Sequence, residues 1–365
     1  MKKSNPEQLD LSFLPQELGE KVRDNLEKAL MGLRRIKWPI KAIVLGGGYK
    51  HKELSYNKKG VGSDIDLFVF SNFIPFFWKK LLETQKEINK PKHFFHYRGV
   101  IPLFLSKSET FWAYRLKQEG IVLEGDKNIL QKIQATSENI PKIEAIRILF
   151  QSLVVWLKLA ETTIPKEKIG SSLILRNYLN IGESYLTFFG YLKPSYKERM
   201  KEFKKRFQEF GIEKELAEKI VLGYLTKVSP EQATQECEKY QFSLSQAKKD
   251  CLEATNNLLS IYLKTNTSLV EKLDLLGREI RPKHLFNLFF FNFLRDLKEI
   301  KPKFLPIVFR FKITDLWKMA VYSEIEKEEE LFEILKRYFK VQKFSDEILI
   351  KIFEAHPSFS TVEIT

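Results

Sequence analysis

Apolar residues recur along this chain in two rhythms. Between Pro15 and Ile36 they fall at Leu18, Val22, Leu26, Ala29, Leu30 and Leu33, spacings of three and four that turn one face of an α-helix toward a core. Trp38-Pro39 ends that pattern, because a residue before proline is pushed out of the helical region. The rhythm then shortens. Ile43-Val44-Leu45 runs into Gly46-Gly47-Gly48, and a second β-branched run spans Ile65 to Phe70; both read as strands. Asn72 to Asn89 returns to helical spacing, with Phe76, Phe77, Leu81, Leu82 and Ile88 as the expected buried stripe. His93 to Leu105, rich in aromatic and β-branched residues, is expected to be a third strand. Glu119 to Asp126 reads as a short strand bracketed by glycines, with Asp126 in the turn that follows.

From Ile140 the pattern is helical with few turn signals. Ile146, Leu149, Phe150, Leu153, Val154 and Leu157 line one face, and Tyr178, Ile181, Tyr185 and Leu186 line another. Gly190 and Pro194 mark a turn before a helix with Tyr196, Met200, Phe203 and Phe207 on its apolar side. Lys197, Lys201, Lys204 and Lys205 fall on its other side, among Glu198 and Glu202, which reads as a solvated face. Beyond Ser229 the pattern stays helical, broken by Pro282, Pro302 and Pro306. The expected architecture is α+β over residues 1–135, a mixed sheet with flanking helices, followed by an all-helical domain over 136–365.

Composition sharpens this only in places. At 365 residues, the chain exceeds what one core usually holds, and 44% hydrophobic with 30% charged residues excludes disorder as a class. A formal charge of +14, from 61 basic and 47 acidic residues, suits polyanions such as nucleotides or RNA, and equally a lysine-rich background. Cys237 and Cys251 stand without a nearby histidine or third cysteine, a pattern of neither a zinc site nor a disulfide framework. The first residues lack the apolar core of a signal peptide, and the most apolar run, His284 to Leu294, is short and interrupted. A cytoplasmic protein that does not enter a membrane is expected.

Candidate chemistry sits at the strand tips. Side chains alternate along a strand, so Asp64 and Asp66 leave the second run on one face while Ile65 and Leu67 leave on the other. Two carboxylates so placed suit Mg²⁺, a hard cation commonly held by one or two carboxylates plus a substrate's phosphates. Glycines 46, 47 and 48 let a phosphate approach the main chain, whose N–H groups bind anions. Leu45-Gly46-Gly47-Gly48 followed by Ser63-Asp64-Ile65-Asp66-Leu67 resembles the glycine loop and paired-acid signature of the DNA polymerase β-like nucleotidyltransferase superfamily. The likeness is to its minimal and antibiotic-type branches, which carry a C-terminal helical domain.

The resemblance implies a nucleotidyltransferase-like sheet and transfer of a nucleoside monophosphate from an NTP to a hydroxyl acceptor. It places Mg²⁺ on Asp64 and Asp66 as metal-binding and catalytic residues, with the nucleotide against Gly46, Gly47, Gly48 and Ser63. The acceptor stays open between a small molecule, a protein side chain and an RNA end, and a partner protein or homodimer remains open too. This chain departs from the pattern in two places. Lys50 and His51 stand where a glycine or arginine is usual, within a basic fifteen-residue insert between Gly48 and Asp64 that also holds Lys52, Lys58 and Lys59 and reads as a loop or hairpin. The third strand, which usually brings a third acid, has no Asp or Glu from Lys92 to Ser108. His96 is one substitute base; Glu144 and Glu183 of the helical segment are others. The rival expectation is a non-catalytic nucleotide-binding or antitoxin-like interaction protein.

Overall fold

The computed structural model describes residues 9–279, apart from positions 55, 58–59, 62–64, 89–94, 162–170, 238 and 241. The region from 280 onward, with its three prolines and the run His284 to Leu294, lies outside the described residues, as does His93.

In chain order, helix α1 (Gln16–Arg34) leads to strand β1 (Ala42–Leu45), a 3-10 turn (Gly48–His51), the short strands β2 (Tyr56–Asn57) and β3 (Gly60–Val61), and β4 (Ile65–Phe70). Helix α2 (Ile74–Ile88), β5 (Phe95–Val100), α3 (Pro102–Ser106), α4 (Phe111–Glu119) and β6 (Ile121–Gly125) follow. The rest is helical: α5 (Lys142–Glu161), α6 (Ser171–Phe188), α7 (Tyr196–Arg206), α8 (Lys214–Val228), α9 (Pro230–Cys237), α10 (Leu244–Leu263) and α11 (Leu269–Glu279). The described chain is thus α+β. It gathers into two compact units, Met1–Pro141 with Phe189–Tyr240, and Lys142–Phe188 with Gln241–Thr365. Residues Phe189–Tyr240, inside the segment expected to be one helical domain, therefore belong with the sheet.

Four strands of the first unit form a mixed sheet in the order β5-β4-β1-β6, with β1 antiparallel to both neighbours and β4 parallel to β5. Leu45 pairs with Leu67, and Asp66 with His96. The period of two then sorts the side chains. Ile43, Leu45, Ile65, Leu67, Val69 and Tyr97 point into the core formed with α1 and α2. From α1 that core receives Val22, Leu26, Ala29, Leu30 and Leu33, the stripe expected from the sequence, together with Ile74, Phe77 and Leu81 of α2. Each fully buried leucine contributes roughly 2 kcal/mol of transfer free energy. The Tyr97 hydroxyl donates to the Ala29 carbonyl at 2.7 Å, satisfying its polar end inside that core.

Several expectations need correction. Phe76 does not join the buried stripe: it is 71% exposed, while Phe77 is 1% exposed. The helix begins at Ile74, and the core face takes Ile74, Phe77 and Leu81 at i, i+3 and i+7, leaving Phe76 to stack against Trp38 with centroids 6.3 Å apart. The third strand stops at Val100, because Pro102 takes the first position of α3, where its missing N–H and fixed φ suit a helix start. Helix α4 is an element that the periodicity does not predict; Thr110 caps it by accepting from the Ala113 N–H at 3.2 Å. Asp126 is a turn residue as expected: it accepts from the Asn128 N–H at 3.0 Å and pairs with Lys132 at 2.6 Å.

Helix α7 is the element that the periodicity half explains. Tyr196 and Phe203 are buried and Lys197, Lys201, Lys204 and Lys205 are exposed. Glu198 closes a capping box with Ser195, and Glu202 pairs with Arg206 instead of the lysines. Arg199, on the buried face, is fully inaccessible; its guanidinium donates to the carbonyls of Lys193 at 2.6 Å and Pro194 at 2.9 Å and to Glu119 at 2.8 Å. Arg115 grips the same carboxylate from one turn back on α4, at 2.9 and 2.7 Å. Burial alone would push the Glu119 carboxyl up, but the two guanidiniums outweigh it and hold the group down at about 2.

The second unit packs α5, α6 and α10. Ile146, Leu149, Phe150 and Leu153 of α5 and Tyr178, Ile181, Tyr185 and Leu186 of α6 are buried as the helical period requires; the side chains of Val154 and Leu157 lie outside the described residues. Polar ends inside it are paired across helices. The Tyr178 hydroxyl donates to Asp250 at 2.7 Å, and Asn257 donates to the Tyr185 hydroxyl at 2.9 Å.

Arg199→Met is expected to cost about 3–5 kcal/mol in urea unfolding, the usual consequence of leaving a buried carboxylate short of its partner. Because the Glu119 carboxyl is depressed in the folded state, its contribution is full above the ordinary glutamate range and is lost as pH falls toward about 2. A wild-type stability profile between pH 6 and 2 checks the sign, and Glu119→Gln should flatten part of that loss.

Candidate functional site

The site is built where β1 ends beside the start of β4. The Gly46 N–H donates to the Asp66 carbonyl at 2.9 Å, so the glycine turn and the acidic strand are adjacent through the last rung of the sheet. Three glycines stand there for three different reasons. A Cβ on Gly46 would lie 2.3 Å from the Phe68 ring, and one on Gly48 would lie 1.7 Å from the Glu53 carbonyl oxygen; both positions are closed by packing. Gly47 is different. Its backbone, at φ 84 and ψ −169, is one that L side chains avoid, and nothing lies within 4 Å of where a Cβ would be. Of the three expected phosphate contacts, Gly47 is the one open to an approaching group.

Asp66 leaves β4 on the face opposite the α1 and α2 core, beside Phe68, whose ring packs against Trp112 of α4 at 5.2 Å. On the neighbouring parallel strand the in-register residue is His96, which is buried. Two residues on, Arg98 returns to the same face, and its Nε donates to Asp66 Oδ1 at 2.9 Å. The two side chains are 24% and 32% exposed, so solvent reaches the pair. Strand β5 thus offers Asp66 a guanidinium and an imidazole rather than a carboxylate. Asp64 and Ser63 lie outside the described residues.

The insert is partly a hairpin, as one reading allowed: Tyr56 pairs with Val61 and Asn57 with Gly60, with Lys58 and Lys59 outside the described residues. Lys50 is exposed, Lys52 pairs with Asp10 at 2.6 Å, and the His51 Nε2 lies 3.2 Å from the Gln118 carbonyl. The residue that sequence reasoning missed is Glu53. It is 6% exposed, and its carboxylate accepts the first two N–H groups of α7, Tyr196 at 2.7 Å and Lys197 at 2.9 Å. An anion at a helix start satisfies donors that have no partner within the helix and meets the positive end of the helix dipole. One acid inside a basic, glycine-containing insert was the available signal.

Among the described residues no group of three or more His, Cys, Asp or Glu side chains could hold a metal ion. Asp66 nonetheless has the donor chemistry of one arm of a Mg²⁺ site, since that ion needs only one or two carboxylates when phosphates complete its shell. Of the suggested substitute bases, Glu144 is engaged by Arg147 on its own helix, at 3.1 and 2.9 Å, and Glu183 is buried within the second unit. Among the described residues no helix is long and apolar enough to cross a membrane. No protein-family model matches the chain, and comparison with curated proteins and with solved structures finds no match.

The glycines are expected to separate under substitution. Gly48→Ala must displace the Glu53 main chain and should cost more stability than Gly47→Ala, whose strain of about 1–3 kcal/mol meets no neighbour. Urea midpoints of the two variants check the order, and equal midpoints would contradict the packing assigned to Gly48.

Proposed function

We propose that the end of the sheet between Gly47 and Asp66 binds the phosphates of a nucleoside triphosphate, and that the protein is a Mg²⁺-dependent nucleotidyltransferase acting on a hydroxyl acceptor. The observation that carries this reading is the Gly46–Asp66 rung, which sets an open, positive-φ glycine against a strand whose carboxylate faces away from the core. The signature Gly46-Gly47-Gly48 with Ser63-Asp64-Ile65-Asp66 supports the same assignment by resemblance to the polymerase β-like superfamily. In this reading Asp64 and Asp66 hold the ion and the Gly47 turn admits phosphate oxygens. Mg²⁺ would supply charge neutralisation on the phosphates, the main requirement of phosphoryl-group transfer beyond positioning. The acceptor is a small hydroxylated molecule, a protein side chain or an RNA end.

A second reading is favoured by one observation. Arg98, not an acid, meets Asp66 from the third strand, where a carboxylate would be the usual acceptor of the attacking hydroxyl's proton. That arrangement suits a protein that binds a nucleotide and does not transfer it, such as an interaction partner of another chain.

Incubation with labelled NTPs, Mg²⁺ and cell extract separates the two: a labelled acceptor supports transfer, and nucleotide binding with no labelled product supports the second reading. Asp66→Asn is expected to abolish transfer while the urea midpoint stays near wild type, because an amide of lower charge does not hold the ion. Full activity in that variant would remove Asp66 from the metal site.

A further inference from the structure

We infer that Arg98 is a second functional cation of this site: it occupies the Asp66 carboxylate when no divalent ion is present and is a ligand for the phosphates of the incoming nucleotide. The inference rests on the nucleotide reading of the same sheet end.

Three observations carry it. The first is placement. Arg98 reaches Asp66 from the adjacent parallel strand, two residues beyond the partner of Asp66 in the register, so both side chains stand on the face turned away from the α1 and α2 core. The second is accessibility. The guanidinium is 24% exposed and the carboxylate 32% exposed, unlike the buried Arg199–Glu119 pair, whose members are 0% and 4% exposed. A half-buried pair of this kind holds loosely enough to exchange partners, whereas a buried one is fixed by the cost of stranding either charge. The third is chemical identity. A guanidinium is planar, always charged and carries five donors in a fork that matches phosphate oxygens, which a lysine does not reproduce.

A cation and a guanidinium compete for one carboxylate. While Arg98 sits on Asp66, the charge of that carboxylate is compensated and it attracts a free divalent ion weakly. When phosphate arrives, the guanidinium has a stronger anionic partner beside the Gly47 turn, and Asp66 is released to the ion. Removing Arg98 therefore changes two affinities in opposite directions, which loss of a merely structural contact would not do.

The test uses the full-length chain and its Arg98→Met and Arg98→Lys variants, with circular dichroism and urea midpoints to establish folding. Mn²⁺ alone is titrated by electron paramagnetic resonance, and ATP is titrated in EDTA by calorimetry, so that no metal–nucleotide chelate confuses the two. Arg98→Met should bind Mn²⁺ about two- to fivefold more tightly and ATP without metal about two- to fivefold more weakly, the range for a partly exposed charge pair. Arg98→Lys should lie between wild type and Arg98→Met in both titrations. Unchanged Mn²⁺ affinity in Arg98→Met overturns the inference, and so does unchanged ATP affinity or the absence of metal-free ATP binding by the wild type. The nucleotidyltransferase reading fails separately, by absence of labelled product with Mg²⁺, whatever the metal-free titrations give.

Discussion

The antiparallel register of β1 with β4 is the constraint on which the first unit depends. Leu45 opposite Leu67 and Ala42 opposite Phe70 commit Ile65, Leu67 and Val69 to the core beneath α1 and α2. A slip of one residue would exchange the two faces, driving Asp66 into that core and turning Leu67 to the outside. The apolar cost of the slip falls on several fully buried side chains at once. The position of the carboxylate is therefore fixed by leucines and valines that have no chemistry of their own. The parallel pairing of β5 extends the same logic, since Tyr97 is anchored inward by its bond to Ala29, which forces His96 and Arg98 outward onto the face of Asp66.

Buried charge holds the surrounding loops to this sheet. Glu53 draws the start of α7 against the segment that follows the glycine turn, and Glu119 draws the same helix against α4 through Arg199. Both contacts join residues far apart in sequence, and both are costly to leave half made. They account for the grouping of residues Phe189–Tyr240 with the sheet. Hydrophobic spacing alone does not dictate that grouping, because an amphipathic helix can place its stripe on any apolar surface. The carboxylates specify which surface α7 takes. Apolar packing, by contrast, carries the α5, α6 and α10 bundle, where Asp250 and Asn257 satisfy the hydroxyls of Tyr178 and Tyr185.

What was legible in the sequence follows from the same division. The core stripe of α1, the strands at Ala42–Leu45 and Ile65–Phe70, and the buried faces of α5 and α6 all obey a simple period, and the period was enough to find them. Phe76 was misassigned because a run of aromatics satisfies several helical phases, and only the start of α2 at Ile74 selects one. Arg199 and Glu53 were missed because a charged residue on a buried face contradicts the pattern, and its partner lies far away along the chain. Helix α4 escapes the period because it is only nine residues long and its buried residues, Phe111, Ala113, Tyr114 and Leu116, are joined by the charged Glu119. At the candidate site, the glycines and Asp66 were legible as local chemistry. The Arg98 contact was not, because it arises only once β5 lies parallel to β4 in one particular register.

That contact also decides how the site's charge should be understood. The Asp66 carboxylate does not stand as a bare charge at the end of β4, because the chain supplies a cation, Arg98, from the next strand. A site balanced in this way is stable without metal, whereas a cluster of three carboxylates would need the ion to relieve its repulsion. The third strand, which has no acid from Lys92 to Ser108, contributes positive charge here through Arg98. Asp66 is thus held between two neighbours, the Arg98 guanidinium of β5 on one side and the glycine turn after β1, joined to its main chain through Gly46, on the other.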